Sequence, residues 1–572
     1  MALIRHLSIK NFRGISSLEW FPRPGINAII GPGDTGKSTV LEAIDMVLGA
    51  RRAAFTDADF YRLDTSQPII IDVTVGDLPR ELLDLEGYIR FIRGYDSVFQ
   101  EVEDEPSDGS EPAITLRLKV GQDCEPTWSL FSQRLADDEL PRDIRSDHRA
   151  LISAQRLGAT VAQHLAWGPR SVLTRLSDGS SGLAAVLASA NRAARAEFDI
   201  DEASDLKPAV AAAKAVAKEM AVAGGLKAVA ALDARAVNVS NGAVALHDAD
   251  GVPLRALGTG SSRLMAAGLQ AAAAAKVPIL LLDEAEHGLE PHRIARLLHK
   301  LGSKYDKPIQ QVFLTTHSPV VMRELSANQL WVARPDVAAT LELKSLRNLD
   351  DAPGLLRSHP EAFLSPTVLV CEGATEVGLC RGVDLHETEQ GRDSLALHGV
   401  ALVDGGGDRQ WQTALGLAGL GFRVGLFRDS DVLSELIEQS FLQAGGTVFA
   451  WDADCAFEDQ LFTSISLSLI PSLFVIADKH RSREVVDQSL GSAGFPITEW
   501  QRLRDSPLDA DRPRLAKAAK AKKTGWFKRI DIAEELGRTV IAPNLFCLEE
   551  ALGSTFVELL VWLRGEAASG DA

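Results

Sequence analysis

A chain of 572 residues suits three or four folding units at about 150 residues each, so a single small module is excluded. With 46% apolar and 24% charged residues it is neither largely disordered nor fibrous. The net charge of −18, from 60 basic and 78 acidic side chains, confines any nucleic-acid contact to a local basic groove. The five cysteines (Cys124, Cys371, Cys380, Cys455 and Cys547) are scattered and imply neither a disulfide framework nor a zinc site. The opening residues lack the apolar core of a signal peptide and no later run reads as a membrane span; the expectation is a cytoplasmic protein with no membrane partner.

Leu3, Leu7 and Ile9 alternate with polar neighbours and Ile26 to Ile30 is a short apolar run, so strands are expected ahead of Gly31. The following Gly31-Pro32-Gly33-Asp34-Thr35-Gly36-Lys37-Ser38 fits GxxxxGK[ST], and Val40 to Leu48 reads as the helix behind it. Such a loop offers backbone N–H groups and a helix N-terminus to phosphates. Lys37 is expected to neutralise β/γ-phosphate oxygens and Ser38 to ligate Mg²⁺, with Gly31, Gly33, Gly36 and Thr39 completing the cradle; the expected cofactor is ATP with Mg²⁺.

Ile69 to Val75 is β-branched and strand-like, whereas Glu101 to Glu111, with six acids, Pro106 and Gly109, reads as a solvated loop. From Ser181 to Leu232 alanine dominates, which predicts a helical insert, placed at about 150–245. Ile279 to Leu282 then leads into Asp283 and Glu284: Asp283 stands where a strand end can hold Mg²⁺ through water, and Glu284 where it can polarise an attacking water. With Val312 to Thr315 as the next strand, the fold class expected is α/β with a mostly parallel sheet in a first domain over 1–345. Three prolines and a glycine between Asp350 and Pro366 mark a boundary, and a second α/β domain is expected over 366–572.

In that second part Val368 to Cys371 is an apolar strand ending in Glu372-Gly373, with Glu376 on the first turn of the helix expected next. A further strand, Val424 to Phe427, runs into Asp429 and Asp431, which alternation sends to one side. Four acids at two strand ends repel unless cations lie between them, and an all-oxygen set points to Mg²⁺ or Mn²⁺, two ions per site. Arg512 to Ile530 carries eight basic residues and no acid, a composition suited to phosphate. Trp526 and Phe527 inside it read equally well as core.

Leu257 to Arg263 ahead of an alanine-rich helix, and His317 after a strand, resemble the signature loop and switch histidine of the ABC ATPase superfamily, in its SMC-like and RecF-like branch. The resemblance implies that Gly260 and Ser261 touch the γ-phosphate held by an opposite subunit, that His317 senses it, that Leu289 and Glu290 form the D-loop, and that the chain works as a homodimer. Gln67 and Gln100 both stand open as the Q-loop. The Glu372-Gly373 and Asp429-x-Asp431 elements, with Val403 to Gly407 between them, resemble the Toprim fold. An ABC-type ATPase followed by Toprim resembles the OLD (overcoming lysogenisation defect) nuclease family over nearly the whole length. That resemblance implies an ATP-regulated, divalent-metal-dependent DNA endonuclease of phage defence or DNA repair, with catalytic Glu372, Asp429, Asp431 and Lys528, metal ligands including Glu376 and Glu458, and a helicase partner as in Gabija-type systems. Lys522 and Lys523 are substitutes for Lys528. The rival is a non-cutting RecF/SMC-like DNA-repair ATPase. A topoisomerase is disfavoured, since Tyr61, Tyr88, Tyr95 and Tyr305 all precede the second domain.

Overall fold

A computed structural model describes the chain except residues 1, 50–53, 84–85, 136–141, 159–164, 166–170, 177–185, 188, 191, 194–206, 220–244, 274–276, 306–307, 309, 337–339, 350–351, 431–434, 453, 522–524, 549 and 566–572. The chain divides into two compact units, one of residues 1–28 and 38–324, the other of residues 29–37 and 325–572.

The chain opens with β1 (Leu3–Phe12), β2 (Ile15–Trp20), β3 (Ile26–Ile30) and helix α1 (Lys37–Leu48). There follow β4 (Ile69–Gly76), β5 (Ile92–Asp96), β6 (Glu101–Glu103), β7 (Glu111–Val120), β8 (Pro126–Phe131) and β9 (Ala154–Leu157). Seven of these strands form an antiparallel sheet in the order β2-β1-β4-β7-β5-β6, with β8 also on β7. Their apolar residues alternate with polar ones, and cross-strand pairs fix the register: Arg117 lies opposite Asp72 and grips both its oxygens at 2.7 and 2.6 Å. This sheet was not expected from the sequence. It also corrects the reading of Glu101 to Glu111 as loop alone, because β6 and β7 occupy its two ends. The acids there are held rather than simply solvated: Asp104 accepts from the backbone of Gln133 and Arg134, and Glu111 pairs with Arg5 at 2.7 Å.

Helix α2 (Lys207–Glu219) is the longest described part of the alanine-rich stretch; most of the expected helical insert lies outside the described residues. Its start needs correction, since 154–157 is strand β9 rather than helix. Helix α3 (Thr259–Ala272), β10 (Ile279–Leu282) and β11 (Gln311–Thr315) also belong to this unit. Strands β3, β11, β10 and β9 are successive neighbours, and the last three run parallel. β3, β10 and β11 are buried at every position, as strands covered on both faces must be. Register aligns Leu157, Leu282 and Leu314, so whatever follows these residues emerges at one sheet edge.

The second unit begins with an antiparallel hairpin of β12 (Leu330–Pro335) and β13 (Leu341–Ser345). Then come β14 (Thr367–Cys371), α4 (Ala374–Glu389), β15 (Val400–Asp404), α5 (Gln410–Gly419), β16 (Arg423–Arg428) and β17 (Thr447–Ala450). The four strands form a parallel sheet in the order β15-β14-β16-β17. A helical layer follows, including α6 (Phe457–Ser464), α7 (Arg512–Ala519), α8 (Ile530–Leu536) and α9 (Glu550–Arg564). Trp526 and Phe527 are fully buried within it. Among the described residues no single helix is long and apolar enough to cross a membrane.

Helix α4 packs against α8 at unusually short range because Gly378 and Gly382, four residues apart on one face, carry no side chain; a Cβ at Gly382 would overlap the Glu534 carbonyl oxygen. Gly382→Ala is therefore expected to destabilise the chain by about 1–3 kcal/mol through overpacking, read as a lower urea midpoint for the second unit with an unchanged slope.

Candidate functional site

The glycine loop is built from backbone conformations that side chains avoid. Gly31 has φ 140° and Gly36 φ 84°, and a Cβ on Gly31 would stand 2.8 Å from the Ala333 carbonyl oxygen. Gly33 and Asp34 are exposed at the loop's crest. Lys37 is buried; its ammonium donates to the carbonyls of Gly31 (3.1 Å) and Pro32 and to Thr35 Oγ1 (3.3 Å), curling back into the loop it follows. Thr39 is half-buried on the first turn of α1.

Ser38, next in the chain, donates its hydroxyl to Asp283 Oδ1 at 2.9 Å. Asp283 directly follows β10, as read from the sequence. Thr315 Oγ1, at the matching end of β11, donates to the same oxygen at 2.6 Å and accepts from the Glu284 N–H at 2.9 Å. From the other side Arg156 on β9 donates to Asp283 Oδ2 at 2.9 Å. Burial alone would raise the Asp283 carboxyl, but the hydrogen bonds from Thr315, Ser38 and Arg156 and the arginine's charge hold it below its ordinary value. Arg263, fully buried on α3, donates to the main-chain carbonyls of Asp283 and Glu284 (2.7 Å to the latter). Burial pulls its own pKa down.

Glu284 adopts φ 47° and points an exposed side chain outward, with Oε2 3.6 Å from His287 Nδ1. His317 is exposed, and its backbone N–H donates to Glu286 at 2.8 Å. Gly260 lies so near the loop after β10 that a Cβ would overlap the Gly288 carbonyl oxygen; Ser261 Oγ accepts from Arg293 at 3.1 Å. Both residues thus touch the 288–293 segment of their own chain.

In the second unit, β14 and β16 are parallel neighbours with Cys371 opposite Phe427, so Glu372 and Asp429 leave adjacent strand ends. The Glu372 N–H donates to the Phe427 carbonyl at 2.8 Å, and Glu372 Oε2 accepts from the Asp429 N–H at 3.0 Å. Strand order reverses around β14, with β15 on one side and β16 on the other, the arrangement that opens a crevice at strand carboxyl ends. Glu376 is buried on the first turn of α4 and accepts from the Gly373 N–H at 3.0 Å. Burial, then the charges of Asp429 and Glu372, push its carboxyl well above the usual range. Beside it the 404–407 turn bonds inward, Gly405 N–H to Cys371 O (2.7 Å) and Gly407 N–H to Glu372 O (2.9 Å), with Gly406 and Gly407 both at positive φ.

Three aromatic rings anchor the surrounding groups. Phe427, Phe457 and Phe527 belong to one buried cluster with Trp451, and each precedes a candidate site residue by one or two positions: Asp429, Glu458 and Lys528. The Phe457 N–H also donates to Asp429 Oδ1 at 2.9 Å. Glu458 is buried with Oε1 lacking a hydrogen-bond partner; burial raises its pKa, while Lys528 and Lys520 pull the other way. Lys528 is exposed, and Lys520 pairs with Asp459 at 3.1 Å. Asp431, Lys522 and Lys523 lie outside the described residues. Among the described residues no three His, Cys, Asp or Glu side chains are grouped so as to hold one metal ion.

A family model described as "AAA domain, putative AbiEii toxin, Type IV TA system" matches residues 26–323, more than half of the chain. The chain belongs to this AAA domain family. Among curated proteins it is similar to the OLD nuclease of Thermus scotoductus, 37% identical over 75 residues, 12% of this chain and 14% of that protein. It is also similar to the DNA replication and repair protein RecF of Streptomyces avermitilis (33% over 85 residues, 14% and 22%) and of Roseiflexus castenholzii (30% over 117 residues, 20% and 29%). These matches span less than a third of each relative. Of solved structures, the Smc head domain of Pyrococcus furiosus with an extended coiled coil bound to the ScpA C-terminal domain has a TM-score of 0.35 at 15% identity, over 62% of this chain and 100% of that one. The SMC head domain of Thermotoga maritima has 0.29 at 13%, over 60% and 98%.

Within the AAA domain the residues around Asp283 that sequence reading missed are Arg156, Thr315, Arg263 and Glu42, whose Oε1 accepts from Arg156 Nη1 at 3.3 Å. The first two could have been found by asking which polar residues end the strands flanking β10. Gln67 and Gln100 lie on neither flank of β10: the Gln67 carbonyl accepts from Asn11, and Gln100 sits in the turn before β6 at φ 53°.

Folding raises the Glu376 carboxyl, so the native state holds its proton more tightly than the unfolded one. The stability associated with that proton is present below the unfolded value of about 4.3 and is lost as pH rises toward the folded one. Metal-free Glu376→Gln protein is expected to melt above wild type at pH 8 by about 2–4 °C, with the gap closing at pH 4, in parallel thermal melts in a chelator.

Proposed function

We propose that the chain is an ATP-regulated, divalent-metal-dependent DNA endonuclease whose cutting centre lies at the ends of β14 and β16. The observation that carries this reading is that Glu372 and Asp429 leave adjacent parallel strand ends, bridged by the Asp429 N–H at 3.0 Å, beside Glu376, whose carboxyl is pushed up by burial and then by the charges of those two neighbours. A site that only bound DNA would gain nothing from negative charge concentrated where phosphates must approach. The donor set is all oxygen and in excess of negative charge, which fits Mg²⁺ or Mn²⁺. Glu372 and Asp429, from adjacent strand ends, would hold one ion with Glu376 behind them, and Glu458 and Asp431 would serve a second. Such ions supply an activated water and stabilise the departing oxygen of a phosphodiester.

The chain's own residues then have separate tasks. The Asp429 and Phe457 N–H groups fix the carboxylates of Glu372 and Asp429, so neither must reorient during reaction. Lys528, exposed and electrostatically coupled to Glu458, would meet the scissile phosphate, and the flanking basic stretch would track the strand. In the AAA domain, Gly31 to Lys37 would cradle the phosphates of ATP, with Mg²⁺ held by Ser38 and Asp283 and Glu284 turned outward toward water. A homodimer completed across Gly260, Ser261 and His317, and a helicase partner, belong to the same proposal.

The second reading, a DNA-repair ATPase that does not cut, draws on the two RecF relatives and on the lack of a three-ligand group among the described residues. One assay separates the two. Asp429→Ala is expected to lose Mg²⁺- or Mn²⁺-dependent nicking of supercoiled plasmid by at least about 100-fold while binding ATP normally. Lys37→Ala is expected to weaken binding of a fluorescent ATP analogue at least about tenfold while leaving metal binding at the second unit intact. A wild-type chain that never nicks across metals and nucleotides, yet binds DNA, favours the second reading.

A further inference from the structure

Asp283 has both carboxylate oxygens engaged by protein donors, Oδ1 by Ser38 and Thr315 and Oδ2 by Arg156. Arg156 is shared: its second nitrogen, Nη1, stands 3.3 Å from Glu42 Oε1. The other Glu42 oxygen pairs with Arg13, whose Nε reaches Asp59 at 2.9 Å. Ser38 and Glu42 are four residues apart on α1 and share a face, so one helix presents a hydroxyl to Asp283 and an acid to the arginine that Asp283 holds. A single guanidinium therefore bridges two carboxylates, one at the end of β10 and one on α1, and is held in that geometry by two separate N–H groups.

A Mg²⁺ ion brought in with a nucleotide adds two positive charges beside a carboxylate that already carries a positive partner. The guanidinium and the ion compete for Asp283, and Glu42 offers the arginine an alternative seat without leaving the site. We propose that Arg156 is a positioning residue that acts as a place-holding cation: it neutralises Asp283 before metal binds and shifts its charge onto Glu42 when Mg²⁺ arrives. This inference rests on the reading of Gly31 to Ser38 with Asp283 as the nucleotide site. It assigns β9 the task of setting how much Mg²⁺ that site needs, and it links metal arrival to the Arg13 turn between β1 and β2 through Glu42.

The test titrates Mg²⁺ into the full-length chain with a fluorescent ATP analogue at fixed concentration and reads the Mg²⁺ midpoint for tight binding, with no turnover required. Arg156→Gln removes the competitor, and the midpoint is expected to fall about fivefold or more. Glu42→Gln removes the alternative seat, leaves Arg156 on Asp283, and is expected to raise the midpoint by a similar factor. Arg156→Lys keeps a charge without the second N–H group that reaches Glu42 and is expected to raise it as well. Should Arg156→Gln unfold, as judged by its melting curve, the rise expected over wild type in both Glu42→Gln and Arg156→Lys still decides. A midpoint that is unchanged or higher in Arg156→Gln, or lower in Glu42→Gln and Arg156→Lys, overturns the inference while nucleotide binding itself stands. A wild-type chain that binds no nucleotide at any Mg²⁺ concentration overturns the nucleotide-site reading, and this inference with it.

Discussion

Parallel pairing of β14 with β16 forces two acidic side chains out of neighbouring strand ends a few ångströms apart. In an antiparallel pair the same residues would leave opposite edges of the sheet, and nothing in the second unit would concentrate charge. Once Glu372 and Asp429 are neighbours, the backbone N–H groups of Asp429 and Phe457 can each serve a carboxylate, and Glu376, buried on the helix that follows β14, is left with a charged form that its surroundings oppose. The cost of that arrangement is carried by the large apolar layer behind it. Phe427, Phe457 and Phe527 interlock with Trp451 and hold three separate chain segments in register, so the polar groups beside them cannot relax apart without breaking the core.

The first unit treats a strand-end acid differently. Asp283 also emerges from a parallel strand, but its neighbours on both sides contribute donors: a threonine hydroxyl from β11 and an arginine from β9. Its charge is stabilised where that of Glu376 is penalised, and the two carboxyls shift in opposite directions for that reason. A protein whose acids are already satisfied by its own groups must exchange partners to admit a metal. Acids that oppose one another would instead gain directly from a cation placed between them.

Much of the fold and of both candidate sites was legible from local pattern. The glycine loop, the run Ile279 to Leu282 before Asp283, and the strands before Glu372 and Asp429 are short, apolar and ended by polar residues, which is the signal of a buried parallel strand. What escaped had no such local mark. The seven-stranded antiparallel sheet depends on pairings between segments such as β1 and β4 that are far apart in sequence, and its acidic strand ends resemble loop when their arginine partners are out of view. β9 is only four residues long, next to a stretch whose alanine content signals helix.

The sequence by itself determined which residue types stand at which strand and helix ends, because periodicity and turn chemistry act over a few residues: the GxxxxGK[ST] loop, the acids after two apolar strands, and the cationic stretch around Lys528. Only the tertiary structure decided which of those ends meet. It put Arg156 rather than a glutamine beside Asp283, placed Trp526 and Phe527 in the core, and set Glu376 against Asp429. Strand order and register are settled by burial of whole faces across the sheet, a sum over distant residues that no local window contains.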